Sequence, residues 1–158
     1  MNIELITVGK TKTRYVADGI DDYLKRLRRY INFSITEIPD IKNAGKLTQN
    51  QQKEEEGKLI ISKITNSDYL MLLDERGRQY TSPAFAEHID AIAATGRKCL
   101  KMVIGGPYGF SESVYKRADE LLSLSKMTFN HEMVRLFITE QTYRAMTILR
   151  GEPYHHGG

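Results

Sequence analysis

Two short apolar runs, Tyr69 to Leu73 and Leu100 to Ile104, restrict this chain more than any other feature. Each has the length of a strand and is short for a buried helix. Runs with so little alternation point to strands covered on both faces, as in a parallel sheet layered between helices. The first run exits through Asp74-Glu75-Arg76-Gly77. The second exits through Gly105-Gly106-Pro107-Tyr108-Gly109-Phe110. Ligands of open α/β sheets bind at the carboxyl ends of the strands. Glycines there permit positive φ and a close approach of main-chain amides. The 105–109 segment therefore reads either as a tight turn or as one wall of a cofactor site.

The remaining elements alternate around these runs. Ile3 to Val8 reads as a first strand, and Phe33 to Ile38 as another. Between them Val16, Ile20, Tyr23, Leu24, Leu27 and Ile31 form a stripe with helical spacing. Thr48 with Gln51 three residues on has the capping-box form, opening a polar helix that ends near Lys63. Ser82-Pro83 predicts a helix start with proline in its first turn, and Gly96 its stop. Ser111 is placed to cap a helix over Ser113 to Leu122, and Ser123 to Phe129 is open between strand and loop. Asn130 opens the clearest helix, which runs to Arg150 and stops at Gly151-Glu152-Pro153. The pattern predicts one α/β domain over residues 1–158, with a mostly parallel sheet and helices on both faces.

Several function classes drop out on composition and motif. No apolar run approaches the length of a membrane span. The first residues lack a secretory layout, and the single Cys99 allows neither an internal disulfide nor a cysteine-based zinc cluster. These features predict a soluble cytoplasmic protein. The glycine loop lacks the G-x-G-x-x-G spacing and no Gly-Lys-Ser/Thr follows it, so a cofactor without a phosphate to grip fits better than NAD or ATP. Neither a histidine pair with zinc spacing nor a G-x-S-x-G elbow is present, so no metal is expected. The net charge of +3 permits a nucleic-acid partner without requiring one. Lys25, Arg26, Arg28 and Arg29 form either a solvated helix face or an RNA contact, with Glu54-Glu55-Glu56 balancing them elsewhere. His131 has a local structural role as readily as a catalytic one. His155 and His156 lie in a terminal segment of the kind that commonly frays.

One resemblance joins these pieces. Ile104-Gly105-Gly106-Pro107-Tyr108-Gly109, Ser123 through His131, Arg135, Glu140-Gln141 with Tyr143-Arg144-Ala145, and Pro153-Tyr154-His155 occur in that order. Together they resemble the pseudouridine N3-methyltransferases of large-subunit ribosomal RNA, within the SPOUT superfamily. The likeness runs from the opening Leu5-Ile6-Thr7-Val8-Gly9-Lys10 to the tail. It implies a homodimeric S-adenosylmethionine enzyme with a C-terminal trefoil knot, acting on pseudouridine 1915 in helix 69 of 23S rRNA. It implies that Leu73, Gly105, Leu124, Ser125, Lys126, Met127, Thr128 and Phe129 line the cofactor site. Arg144, Tyr154 and His155 are implied on the substrate side, with His155 the leading candidate for proton transfer. The alternatives are a SPOUT enzyme for another RNA and a non-catalytic ribosome-binding factor with the same fold.

Overall fold

The two apolar runs lie at the centre of a five-stranded sheet in which every neighbouring pair is parallel. The computed structural model describes residues 1–157. In chain order the elements are β1 (Asn2–Val8), α1 (Arg14–Leu27), β2 (Phe33–Ile38), a 3-10 turn (Ala44–Lys46), α2 (Gln49–Ile61), β3 (Asp68–Arg78), α3 (Ser82–Ala94), β4 (Cys99–Ile104), α4 (Glu112–Arg117), β5 (Glu120–Leu122) and α5 (His131–Leu149). The strand order is β2-β1-β4-β3-β5.

The pleat explains why the runs are almost wholly apolar. Leu100, Met102 and Ile104 of β4, with Met71 of β3, face one layer, which α1, α3 and α5 cover with Leu27, Phe85, Ile89 and Ile138. Val103, Leu70 and Leu72 face the other, against Ile60 of α2 and Val114 of α4. Successive side chains alternate faces, and both faces are buried, so nearly every position is apolar; the exception, Lys101, pairs its ammonium with Glu4 at 2.9 Å. Full burial of each such side chain is worth about 1.5–3 kcal/mol.

The helix boundaries follow local chemistry. At α2 the Gln51 amide donates to Thr48 Oγ1 at 3.1 Å, and the Thr48 amide donates to Gln51 Oε1 at 2.9 Å, closing the expected box. Helix α3 is capped by Thr81 rather than started by a Ser82 cap, with Thr81 Oγ1 accepting from the Ala84 amide at 3.2 Å. Gly96 ends that segment at φ +83°.

Three expectations need correction. The helix predicted over Ser113 to Leu122 stops at Arg117, and residues 120–122 form the edge strand β5. Asp119 is the cause. Its carboxylate accepts from the Leu70 amide, and its own amide donates to the Leu70 carbonyl, both at 2.8 Å. With both groups bound to β3, the Asp119 amide no longer serves the helix, and the chain leaves it to pair as a strand. Ser111 stands at the start of α4, yet its hydroxyl bonds Ser113 Oγ at 3.1 Å and makes no cap bond. Strand β3 also runs further than its apolar part. Asp74 through Arg78 continue it past a register shift opposite Leu122, where Gly77 lies so close to β5 that a Cβ would stand 2.6 Å from the Leu121 and Leu122 backbone.

Candidate active site

Register brings three strands together. Leu73 pairs with Ile104 on one side and with Leu122 on the other, so β4 and β5 end level with the last apolar residue of β3. The loops that leave them enclose a cavity of about 380 Å³. One wall is the 105–109 loop, shaped by Gly109 at φ +83° and by the bridge between Gly106 and Gly109. Side chains fill the space behind both leading glycines. A Cβ on Gly105 would stand 3.0 Å from the Phe110 ring, and one on Gly106 would stand 2.5 Å from the Glu56 carboxylate.

The opposite wall is the segment after β5. Ser123 donates its amide to the Arg78 carbonyl at 3.0 Å and its hydroxyl to the Ser125 carbonyl at 2.9 Å. Ser125 Oγ accepts from the Met127 amide at 3.0 Å. Thr128 Oγ1 donates to Glu75 at 3.1 Å and ties this wall to β3. His131 and Val134, in the first turn of α5, close the floor, and Asp74, Glu75 and Arg76 stand at the rim. Burial raises the Asp74 carboxyl, but bonds from Arg76 and the Tyr115 hydroxyl outweigh it and hold the group below the ordinary carboxylate range.

The residues expected on the substrate side assemble elsewhere, where α5 meets α1 and the tail. Glu140 Oε1 accepts from Arg144 Nε at 3.1 Å, from Arg144 Nη2 at 2.5 Å and from the Tyr154 hydroxyl at 3.0 Å. Tyr154 also shares a hydrogen bond of 3.1 Å with Tyr23 and packs edge-on against Tyr143. Burial, then the bonds with Tyr23 and Glu140, push the Tyr154 phenol well above its usual value. Arg144 Nη1 lies 3.0 Å from His155 Nδ1. A guanidinium only donates, so Nδ1 accepts and the proton of this neutral imidazole sits on Nε2. Among the described residues that buried Nε2 finds no partner. The tail is thus packed into α5 through Tyr154 and His155.

Against this geometry, the profile of the family described as "Predicted SPOUT methyltransferase" matches residues 1–155. The chain belongs to the SPOUT methyltransferase family. Curated relatives named "Ribosomal RNA large subunit methyltransferase H" agree in length. Those of Christiangramia forsetii and Flavobacterium johnsoniae are 56% and 55% identical over 156 residues, covering 99% of each chain. That of Porphyromonas gingivalis is 47% identical over the same span. A solved structure, the SpoU methyltransferase AviRb of Streptomyces viridochromogenes in complex with AdoMet, is 10% identical with a TM-score of 0.45. That overlay spans 96% of the present chain and 61% of that one.

Within this SPOUT chain, Leu73, Gly105, Leu124, Ser125, Met127, Thr128 and Phe129 all line the cavity. Lys126 is exposed and does not line it. Arg144, Tyr154 and His155 come together as one cluster, and none of the three lines the cavity. Sequence reasoning misses the part played by Glu140, whose only local signal is its i,i+4 spacing from Arg144; in the fold it anchors both Arg144 and Tyr154. It also misses Tyr23, for which the sequence carries no signal, and Asp74 and Tyr115 at the rim. Glu56 belongs to the acidic run read as balancing charge, yet it is 4% exposed. Lys25, Arg26, Arg28 and Arg29 are exposed, and the Arg26 guanidinium lies 5.7 Å from the centre of the Tyr143 ring, beside the substrate-side cluster.

Proposed function

We propose that this SPOUT methyltransferase transfers a methyl group from S-adenosylmethionine to N3 of pseudouridine 1915 in helix 69 of 23S rRNA. The observation that carries the reading is the coming together of the expected donor-side residues around one cavity, while the three expected substrate-side residues form a separate cluster. The names of the relatives supply the class of substrate, and the exposed arginines and lysines on α1 suit an RNA backbone. As in the resemblance, the C-terminal segment forms the knot that shapes the donor pocket.

The cavity residues fit such a cofactor. The glycine loop presents main chain at 105 and 106, Leu73, Leu124 and Phe129 offer apolar packing, and Asp74 and Glu75 stand at the rim for polar groups. When bound, S-adenosylmethionine supplies a methyl group already activated on a sulfonium. The chain's own residues then have two tasks. They place the attacking nitrogen in line, where orientation is worth about 7–11 kcal/mol. They also stabilise the imide as its N3 proton leaves.

His155 is arranged for the second task in a specific way. Because Arg144 donates to Nδ1, the imidazole offers an N–H at Nε2 rather than a lone pair. It therefore serves as a donor to a carbonyl oxygen of the base as negative charge develops, with the Arg144 cation beside it. The resemblance implies His155 for proton transfer; on this reading it assists that transfer by stabilising the deprotonated imide, and the N3 proton passes to water. Since the cluster does not line the cavity of its own chain, two copies assemble so that the cluster of one faces the donor cavity of the other. Tyr154 and Arg144 then hold substrate rather than cofactor.

Mass mapping of 23S rRNA from a deletion strain tests the reading. The expected result is loss of one methyl group at position 1915, restored by the purified protein with S-adenosylmethionine. A methyl group retained there, or lost from another RNA, would overturn it. The two-copy site has its own check: mixing cofactor-defective Gly106→Val with His155→Ala is expected to recover activity that neither homodimer has. No recovery would place both halves of the site in one chain.

A further inference from the structure

A buried acid stands behind the glycine loop, and no cation among the described residues neutralises it. Glu56 of α2 is 4% exposed. Its one hydrogen bond among the described residues comes from Gln52 Nε2 at 3.1 Å, within the same helix. Among the described residues it has no ion pair, and the charged group that acts on it is Asp40, of the same sign. Burial is the largest influence on its proton affinity and raises it. Buried carboxylates are ordinarily paired with a cation.

Its position is fixed by close packing. A Cβ on Gly106 would lie 2.5 Å and 2.6 Å from its two oxygens, so the carboxylate rests on the main chain of a residue that lines the donor cavity. The next residue, Gly57, is pressed against Ser111, which holds this turn of α2 on the loop. The acids at the rim are engaged otherwise. Asp74 is bonded by Arg76 and Tyr115, and exposed Glu75 accepts from Thr128.

We propose that Glu56 is a charge-selecting residue of the donor pocket, acting across the Gly105–Gly106 backbone as counter-charge to the sulfonium of S-adenosylmethionine. This rests on the methyl-transfer reading above and adds a specificity to it. As the methyl group leaves, sulfur keeps the bonding electron pair and its positive charge disappears. The attraction to Glu56 disappears with it, so the same residue that favours the donor ceases to hold the thioether product. Contact is not required, because charges separated by one thickness of backbone still interact in a poorly solvated site.

The test is calorimetric titration of the full chain with three ligands: S-adenosylmethionine, S-adenosylhomocysteine, and sinefungin, whose amine carries positive charge near the place of the sulfonium. Glu56→Gln is expected to weaken the two cationic ligands by about tenfold relative to the thioether. Glu56→Met is a second neutral variant with the same expectation. Glu56→Asp keeps the charge and is expected to keep the preference, even where a relaxed loop weakens all three. An equal shift for the three ligands in the neutral variants, or no shift, overturns the proposal alone and leaves Glu56 as packing. Failure of the unaltered protein to bind any of the three overturns the methyl-transfer reading together with the proposal.

Discussion

The cavity at the strand ends and the Arg144–Tyr154–His155 cluster are built by different physics. The cavity is made by backbone: the ends of β4 and β5 brought level with Leu73 of β3 by register, a glycine loop packed closely on Phe110 and Glu56, and a turn tied by its own serines. The cluster is made by side chains. Glu140, Arg144, Tyr154, Tyr23 and His155 hold one another through hydrogen bonds that span three separate parts of the chain. A backbone site tolerates side-chain change and fails when space is taken. A network site tolerates little, because each member leaves a buried partner unsatisfied when it goes.

The largest expected effect comes from the network. His155→Ala removes a donor aimed at developing charge and is expected to lower kcat by about 10²–10³. Isothermal titration should meanwhile return an unchanged affinity for S-adenosylmethionine. A parallel loss of cofactor binding would mean that the two regions are a single unit.

Filling the backbone site should do the reverse. Gly106→Ala forces a methyl group onto the Glu56 carboxylate, and overpacking of this kind costs about 1–3 kcal/mol. Cofactor binding is expected to weaken by about ten- to a hundredfold, while binding of RNA to the cofactor-free protein stays level. Equal weakening of both would break the comparison.

Replacing Lys25, Arg26, Arg28 and Arg29 with glutamine addresses the substrate side alone. Every phosphate deprived of its cationic partner flattens the salt dependence of binding by about one unit in slope. The measurement is RNA affinity against salt, and an unchanged slope would remove α1 from the interface. The smallest effect belongs outside both regions. Thr48→Ala opens the capping box of α2 and should cost about 0.5–2 kcal/mol in thermal unfolding. If it also changes S-adenosylmethionine affinity, then α2 reaches the cavity through Glu56 and Gly106.

The contrast between the regions also decides how much of the molecule is legible in the sequence. Strands with fully apolar faces, the capping box at Thr48 and the cap at Asn130 are local, and each appears where the pattern predicts it. Strand β5 is not legible, because its three residues carry too little periodicity and the helix before it ends through a contact between Asp119 and the distant Leu70. The wall from Leu124 to Phe129 has no repeating pattern, and only the likeness to a known family singles it out. Glu56 shows the limit most directly. Within Glu54-Glu55-Glu56 nothing distinguishes the one acid that faces inward, since the helix is polar on most sides and the difference lies in what α2 packs against.

Helix α5 links the two regions, with Val134 at the cavity floor and Arg144 in the cluster. Ten residues of α-helix advance about 15 Å. On the proposed reading the helix acts as a ruler that sets the spacing between the cavity and the cluster. Adding a single residue between those positions would lengthen the interval by about 1.5 Å and swing one end by about a quarter-turn relative to the other. Such an insertion would leave each half intact by itself and put the pair out of phase. Length along this helix is consequently as much a part of the site as any side chain on it.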